Sequence, residues 1–242
     1  MVSRVVIMAA GKGTRMKHLT ADRPKHLLPV SGRPFIEYLL ERLQAAGFQE
    51  LIVVVGYHAA AFREWARTAP FRVTLVHQSM GADDPYGTAI PVLTAKGATR
   101  GEPFVVVGGD NLYSVRDLKK FIRDDGWNYA GGLHSNHPER YGVFVPRPDG
   151  TLERIVEKPS EFVGDVINAQ LYAFRPEVFE ALDTIGQSPR GEYELTDAVT
   201  ILAGQHQVKI VTLEDFWIDF GRPEDIPRLE AMLGRGNGQV GE

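Results

Sequence analysis

Cysteine is absent from this 242-residue chain, which excludes disulfides, thiolate metal sites and cysteine nucleophiles. Long apolar runs are missing as well; no stretch approaches the ~20 residues a helix needs to cross a bilayer, so no membrane partner is expected. A basic surplus is lacking too. Lys and Arg number 27 against 31 Asp and Glu, for a net charge of -4, which argues against a nucleic-acid partner. The opening Met1-Val2-Ser3-Arg4 runs straight into a strand-like segment without the regions of a signal peptide, so a cytoplasmic location is the expectation. What remains is 43% hydrophobic and 24% charged residues, the composition of an ordinary globular protein with one large core or two small ones.

The apolar residues are grouped in short continuous runs. Val5–Ala10, Leu51–Val55, Val73–Val76 and Phe104–Val107 read as strands buried on both faces. Between the first two, Ile36, Leu39, Leu40 and Leu43 recur at helical spacing and Gly47 supplies a stop; another helical segment follows Gly87. Strand, helix, strand, helix predicts parallel βαβ units, hence an α/β fold with helices on both faces of the sheet, a Rossmann-like three-layer αβα arrangement. Gly142–Val145, Leu152–Val156 and Val166–Phe174 read as strands separated by Pro and Gly turns, which predicts a mostly parallel central sheet that becomes mixed in the second half. Further helices are expected over Pro176–Leu182, Glu194–Ala203 and Pro223–Leu233. No linker-like break interrupts the interior, so 1–233 is expected to be one domain and the glycine-rich 234–242 a flexible tail.

The loop Ala9-Ala10-Gly11-Lys12-Gly13-Thr14-Arg15-Met16 leaves the carboxyl end of the first strand, the sheet edge where α/β proteins bind ligands. Its glycines let backbone N–H groups approach an anion, and Lys12, Arg15, Lys17 and Lys25 concentrate positive charge there. The pattern points to a polyphosphate. It is neither common phosphate motif: Met16 stands where a dinucleotide loop needs its third glycine, and the Gly-Lys-Ser/Thr spacing of a P-loop is absent.

Together with Pro24-Lys25-His26-Leu27-Leu28-Pro29-Val30, this loop resembles the signature of the sugar-1-phosphate nucleotidyltransferases. The similarity continues through Gln78 with Tyr86-Gly87-Thr88-Ala89, Gly109-Asp110-Asn111, Arg140-Tyr141-Gly142-Val143, Glu157-Lys158-Pro159, Asn168-Ala169-Gln170-Leu171-Tyr172, the block Ser188–Asp197 and Trp217-Ile218-Asp219-Phe220-Gly221. Asp110-Asn111 and Arg190-Gly191-Glu192-Tyr193 resemble most the glucose-1-phosphate thymidylyl- and uridylyltransferases, although His26 stands where the former usually carry glutamine.

The resemblance implies transfer of a nucleotidyl group from a nucleoside triphosphate, dTTP or UTP, to a sugar-1-phosphate such as glucose-1-phosphate, by in-line attack on the α-phosphate. The two substrates are the partners expected, and a homo-oligomer is left open. The nucleotide half would be about 1–112 and the sugar half about 113–233. Arg15 and Lys25 would be catalytic phosphate contacts, and Ala10, Gly11, Gly13, Thr14, Gln78, Gly87 and Thr88 nucleotide contacts. Gly142, Glu157, Lys158 and Asn168 would hold the sugar and its phosphate.

Such a transfer needs positioning and charge neutralisation more than a base, because a sugar phosphate is already largely dianionic near neutral pH, its second pKa being ~6. Asp110 and Asp219 are the expected ligands of an Mg2+ cofactor, which takes one or two carboxylates plus phosphate oxygens and water. A turn cap is the alternative for Asp110, a buried salt bridge for Asp219 and a surface ion pair for Glu157 with Lys158. Two other readings compete for the whole chain: a cytidylyltransferase for a small alcohol phosphate such as phosphocholine, and a non-catalytic regulatory subunit that binds nucleotide sugars. The former shares Val55-Gly56-Tyr57 but generally lacks the Gly-Thr-Ala and Glu-Lys-Pro blocks.

Overall fold

The structure, a computed structural model, describes residues 2–235. The first half holds β1 (Arg4–Ala9), β2 (Pro29–Val30), β3 (Arg33–Pro34), α1 (Phe35–Ala46), β4 (Glu50–Val55), α2 (Ala59–Thr68), β5 (Val73–His77), α3 (Ala89–Thr94), α4 (Lys96–Thr99), β6 (Phe104–Gly108) and β7 (Asn111–Tyr113). The second holds α5 (Val115–Lys119), β8 (Asn128–His134), β9 (Gly142–Pro146), β10 (Leu152–Glu157), β11 (Val166–Phe174), α6 (Val178–Leu182), α7 (Leu195–Gly204), β12 (Val208–Thr212), β13 (Trp217–Asp219) and α8 (Asp225–Arg235). Among the described residues no helix is long and apolar enough to cross a membrane.

A nine-stranded sheet, ordered β10-β9-β11-β6-β1-β4-β5 with β8 and β12 attached through β11, runs through both halves. β6, β1, β4 and β5 pair in parallel, as expected of buried Val- and Ile-rich strands joined by helices. β11 then pairs antiparallel with β6, β8 and β9, so the sheet becomes mixed where the sequence pattern predicts it. Alternation sorts the strands' residues between two cores. Val5, Ile7 and Ala9 face α1 and α2 through Ile36, Leu40 and Phe62, whereas Val6 and Ala10 face α3, α6 and α7 through Val92, Phe179 and Val199.

Some elements escaped the sequence pattern for physical reasons. In α2 only Ala59 and Phe62 are buried, too sparse a stripe to show periodicity. β8 contains Gly131 and Gly132, residues that weaken a strand signal, yet a Cβ on Gly132 would lie 2.7 Å from Val166. The polar stretch after the glycine loop is two tight turns, Thr14–Thr20 and Lys25–Leu27, ahead of the β2–β3 hairpin. Of the expected tail, Gly234 and Arg235 continue α8, and 236–242 lie outside the described residues.

Candidate active site

The parallel strands β1 and β6 deliver their loops to one sheet edge, where two adjoining cavities of 230 and 350 Å³ open. The first is lined by Ala10, Gly11, Gly13, Thr14, Arg15 and Lys25 from the loops after β1, by Gln78 after β5, and by Gly87 and Thr88 ahead of α3. The second is lined by Gly142, Glu157, Lys158 and Asn168 from the antiparallel strands and by Asp219. Arg15, Thr88 and Asp110 border both. The residues singled out for nucleotide, sugar phosphate and metal therefore gather in one place.

Two glycines are required by geometry. Gly13 has φ +64°, and a Cβ there would lie 3.3 Å from Lys25, so the loop can fold against that lysine only without a side chain. Gly87 has φ +133°, and a Cβ would come within 2.2 Å of the Tyr193 carbonyl oxygen. The close approach is used: Tyr193 N–H donates to Tyr86 O at 2.8 Å and Ala89 N–H to Tyr193 O at 3.0 Å. The 86–89 loop is thus stapled to the loop that carries Arg190.

Lys25 is buried and pairs with Asp110 in the turn between β6 and β7. Gly109 N–H donates to Met8 O at 3.0 Å and Phe220 N–H to Asp110 O at 2.8 Å, which anchors that turn to β1 and to the end of β13. Because β13 pairs with β7, Asp219 stands opposite Asn111, and it lines the same cavity as Asp110. Burial opposes ionisation of Asp110, but the charge of Lys25 and the hydrogen bond from it outweigh that cost, leaving its pKa below the ordinary carboxylate value. Asp219 goes the other way. Burial and the nearby Asp110 charge push it up to about 6, with Arg15 and Lys25 opposing.

Asp110 is therefore an ion-pair partner rather than a turn cap, and Asp219 makes no salt bridge among the described residues. Two oxygen donors held together against their own repulsion suit a hard divalent cation such as Mg2+. Among the described residues no group of three or more His, Cys, Asp or Glu could enclose a metal, so phosphate oxygens and water would complete its shell. The residues fit the ion expected.

In the second cavity Glu157 pairs with Arg190 at 3.4 Å, not with Lys158. Arg190 also holds the buried Glu194 at 2.6 Å, whose other oxygen accepts from Thr88 Oγ1 at 3.5 Å. Burial raises the Glu157 carboxyl above its usual value, with Arg190 opposing and Glu194 adding to it. Lys158 is exposed, and Gly142 leaves room for the Glu157 carboxylate, since a Cβ there would lie 3.0 Å from Oε2. Asn168 is buried at the wall of the second cavity, Nδ2 donating to Tyr172 OH and Oδ1 accepting from Gln170 N–H.

Several lining residues carried no sequence-based assignment: His26, Tyr86, Gln170, Arg190 and Glu192. All lie within motif blocks, so the signal was position in the block rather than residue type. His26 is 1% exposed, and burial with the adjacent Lys25 charge lowers its pKa to about 3, so the imidazole is neutral. Its Nδ1, like Gln78 Oε1, is buried without a hydrogen-bond partner among the described residues.

The family profile described as "Nucleotidyl transferase" matches residues 4–234. The chain belongs to that family. It is 33% identical over 223 residues to a bifunctional sugar-1-phosphate nucleotidylyltransferase/acetyltransferase of Sulfurisphaera tokodaii, covering 92% of this chain and 53% of that protein. It is 30% identical over 240 residues to the UTP–glucose-1-phosphate uridylyltransferase AglF of Haloferax volcanii, covering 95% and 96%. The chain spans about half the length of several curated relatives it matches. A crystal structure of UDP-glucose pyrophosphorylase with UDP-glucose shares the fold, with a TM-score of 0.85 at 19% identity over 97% of this chain and 99% of that one.

Proposed function

We propose that the protein joins a nucleoside triphosphate, UTP or dTTP, to a sugar-1-phosphate, with glucose-1-phosphate the first candidate, and releases pyrophosphate. The observation that carries this reading is the junction of the two cavities. A cationic glycine-loop cavity meets a second cavity able to bind hydroxyls and an anion, and Arg15 and Asp110 sit on their shared wall.

The glycine loop would wrap the triphosphate, with Lys25 and Arg15 neutralising charge that builds as the α-phosphorus passes from one oxygen to another. Asp110 and Asp219 would hold a magnesium ion, which supplies Lewis-acid stabilisation of that charge when bound. Lys158 and Arg190 would take the sugar phosphate, and Glu157 a sugar hydroxyl. A dianionic sugar phosphate held across the junction needs only alignment with the leaving pyrophosphate, which favours positioning over acid–base chemistry. The division is one unit, with a nucleotide side built by the parallel strands and a sugar side built by the antiparallel ones.

The pyrimidine choice rests on Gln78. A uracil or thymine edge offers one N–H between two carbonyl groups, and an amide side chain supplies both complementary partners. Its unpartnered Oε1 suits the N–H of such a base, beside a neutral His26. Pyrophosphate release from a panel of five nucleoside triphosphates crossed with several sugar-1-phosphates tests the reading. A higher specificity constant for GTP or ATP refutes the base assignment, and no release with any pair refutes the activity.

A further inference from the structure

β11 is broken at its centre. Its pairing with β8 shifts register between Asn168 and Tyr172, and inside that irregularity Gln170 has φ +53°. A non-glycine residue in the left-handed region is unfavourable, and such conformations persist only where the surroundings over-determine them. Here they do. Asn168 Oδ1 accepts the Gln170 N–H at 2.9 Å, and the Tyr113 hydroxyl lies 2.9 Å from both the Ala169 and Gln170 carbonyl oxygens. Asn168 is itself fixed by Tyr172, so buried polar side chains hold the kink from both sides.

The kink delivers one side chain to the active site. Gln170 lines both cavities at their shared wall. Its Oε1 accepts from Asn111 Nδ2 at 3.3 Å, and the same Asn111 nitrogen lies 3.3 Å from Asp110 Oδ1. With the oxygen fixed in this way, the orientation of the amide is set, and Nε2 donates to nothing among the described residues.

We propose that Gln170 is a substrate-binding residue whose Nε2 donates to a phosphate oxygen where nucleotide and sugar phosphate meet, the strained backbone being the device that places it there. The proposal rests on the nucleotidyl-transfer reading above. A neutral donor suits this position, because it binds a phosphate oxygen without repelling a cation held by the neighbouring Asp110. The oxygen belongs either to the α-phosphate of the triphosphate or to the sugar-1-phosphate.

The test uses Gln170→Gly and Gln170→Glu in the full chain. Glycine adopts φ +53° without strain, so Gln170→Gly should melt at or above the wild-type temperature while its turnover falls about 10- to 100-fold, the loss expected for one hydrogen bond to a charged group. Gln170→Glu keeps the shape and replaces the donor by an anion, so it should lose at least as much. Calorimetric titration of UTP and of glucose-1-phosphate, each alone, distinguishes the two sources: the one that binds about 10-fold more weakly to Gln170→Gly contributes the oxygen. Wild-type turnover and affinities in Gln170→Gly would overturn the contact and leave the nucleotidyl-transfer reading intact. A raised magnesium requirement with unchanged affinity for both substrates would also overturn it, assigning Gln170 to positioning Asp110 instead. A lower melting temperature for Gln170→Gly would overturn the strain argument. A wild-type protein that binds neither substrate would overturn this proposal and the reading beneath it together.

Discussion

The two cavities are built differently, and the difference is instructive. The first is made of loops that leave parallel strands, and apart from the exposed Arg15 its main side chains are buried: Lys25, His26 and Gln78 are 9%, 1% and 3% exposed. The second is made of side chains on antiparallel strands and the loop before α7, where Arg190 lies between Glu157 and Glu194 and Lys158 is exposed. Burial fixes position but leaves polar atoms dependent on a ligand, whereas an internal charge network stands without one. The first cavity should therefore be the less tolerant of change.

Substitutions can break this contrast. The largest effect is expected at Asp110, which Lys25 and the shared wall of both cavities depend on. Asp110→Asn should reduce turnover about a thousand-fold, as loss of a charge-stabilising group at a reacting centre does; pyrophosphate release near the wild-type rate would remove Asp110 from the chemistry. Next comes Lys25→Ala, with a loss of roughly a hundred-fold or more and a lower melting temperature, because Asp110 is left without its partner in a buried site. Arg15→Ala makes the sharper comparison. Arg15 is exposed and forms no ion pair among the described residues, so turnover should fall with the melting temperature unchanged.

In the second cavity Lys158→Ala should be milder. Its expected signature is a KM for sugar phosphate raised about ten-fold, with nucleotide affinity and melting temperature as in the wild type. An equal loss of nucleotide affinity would dissolve the distinction between the cavities. The smallest effect concerns pH. An acid whose folded pKa is raised stabilises the fold fully below its unfolded value of ~3.9, and that stability is lost as pH rises through the folded value. For Asp219 the window runs from there to about 6. In EDTA, Asp219→Asn should gain stability relative to the wild type between these pH values and stay level above them, as read by urea melts; parallel curves across the window would contradict the placement of Asp219 beside Asp110.

The same contrast explains what could be read from the sequence. The first cavity's loop is contiguous in the chain, because a loop after a single strand collects glycines and cations within a few residues, and Gly11, Gly13, Arg15 and Lys25 are visible as a group. The second cavity draws on β9, β10, β11, β13 and the loop before α7, so its residues become neighbours only through strand pairing. Family resemblance could point to Glu157, Lys158 and Asn168, but not to Arg190 as the partner of Glu157 or to the bonds from Asn168 to Tyr172 and Gln170. Gln170 could be placed only by its motif block; its left-handed backbone within a strand-forming run had no signal, since Asn168 and Tyr113 set it through their side chains.

The ion pair between Lys25 and Asp110 means that one positive charge serves two masters. An anion that recruits Lys25 strips Asp110 of its compensation, and a cation that settles on Asp110 sets Lys25 free. Each event lowers the free energy of the other, and linkage makes the factor identical in both directions. The measure of that factor is the ratio of triphosphate dissociation constants with and without magnesium, and replacing Lys25 by alanine should bring the ratio toward one.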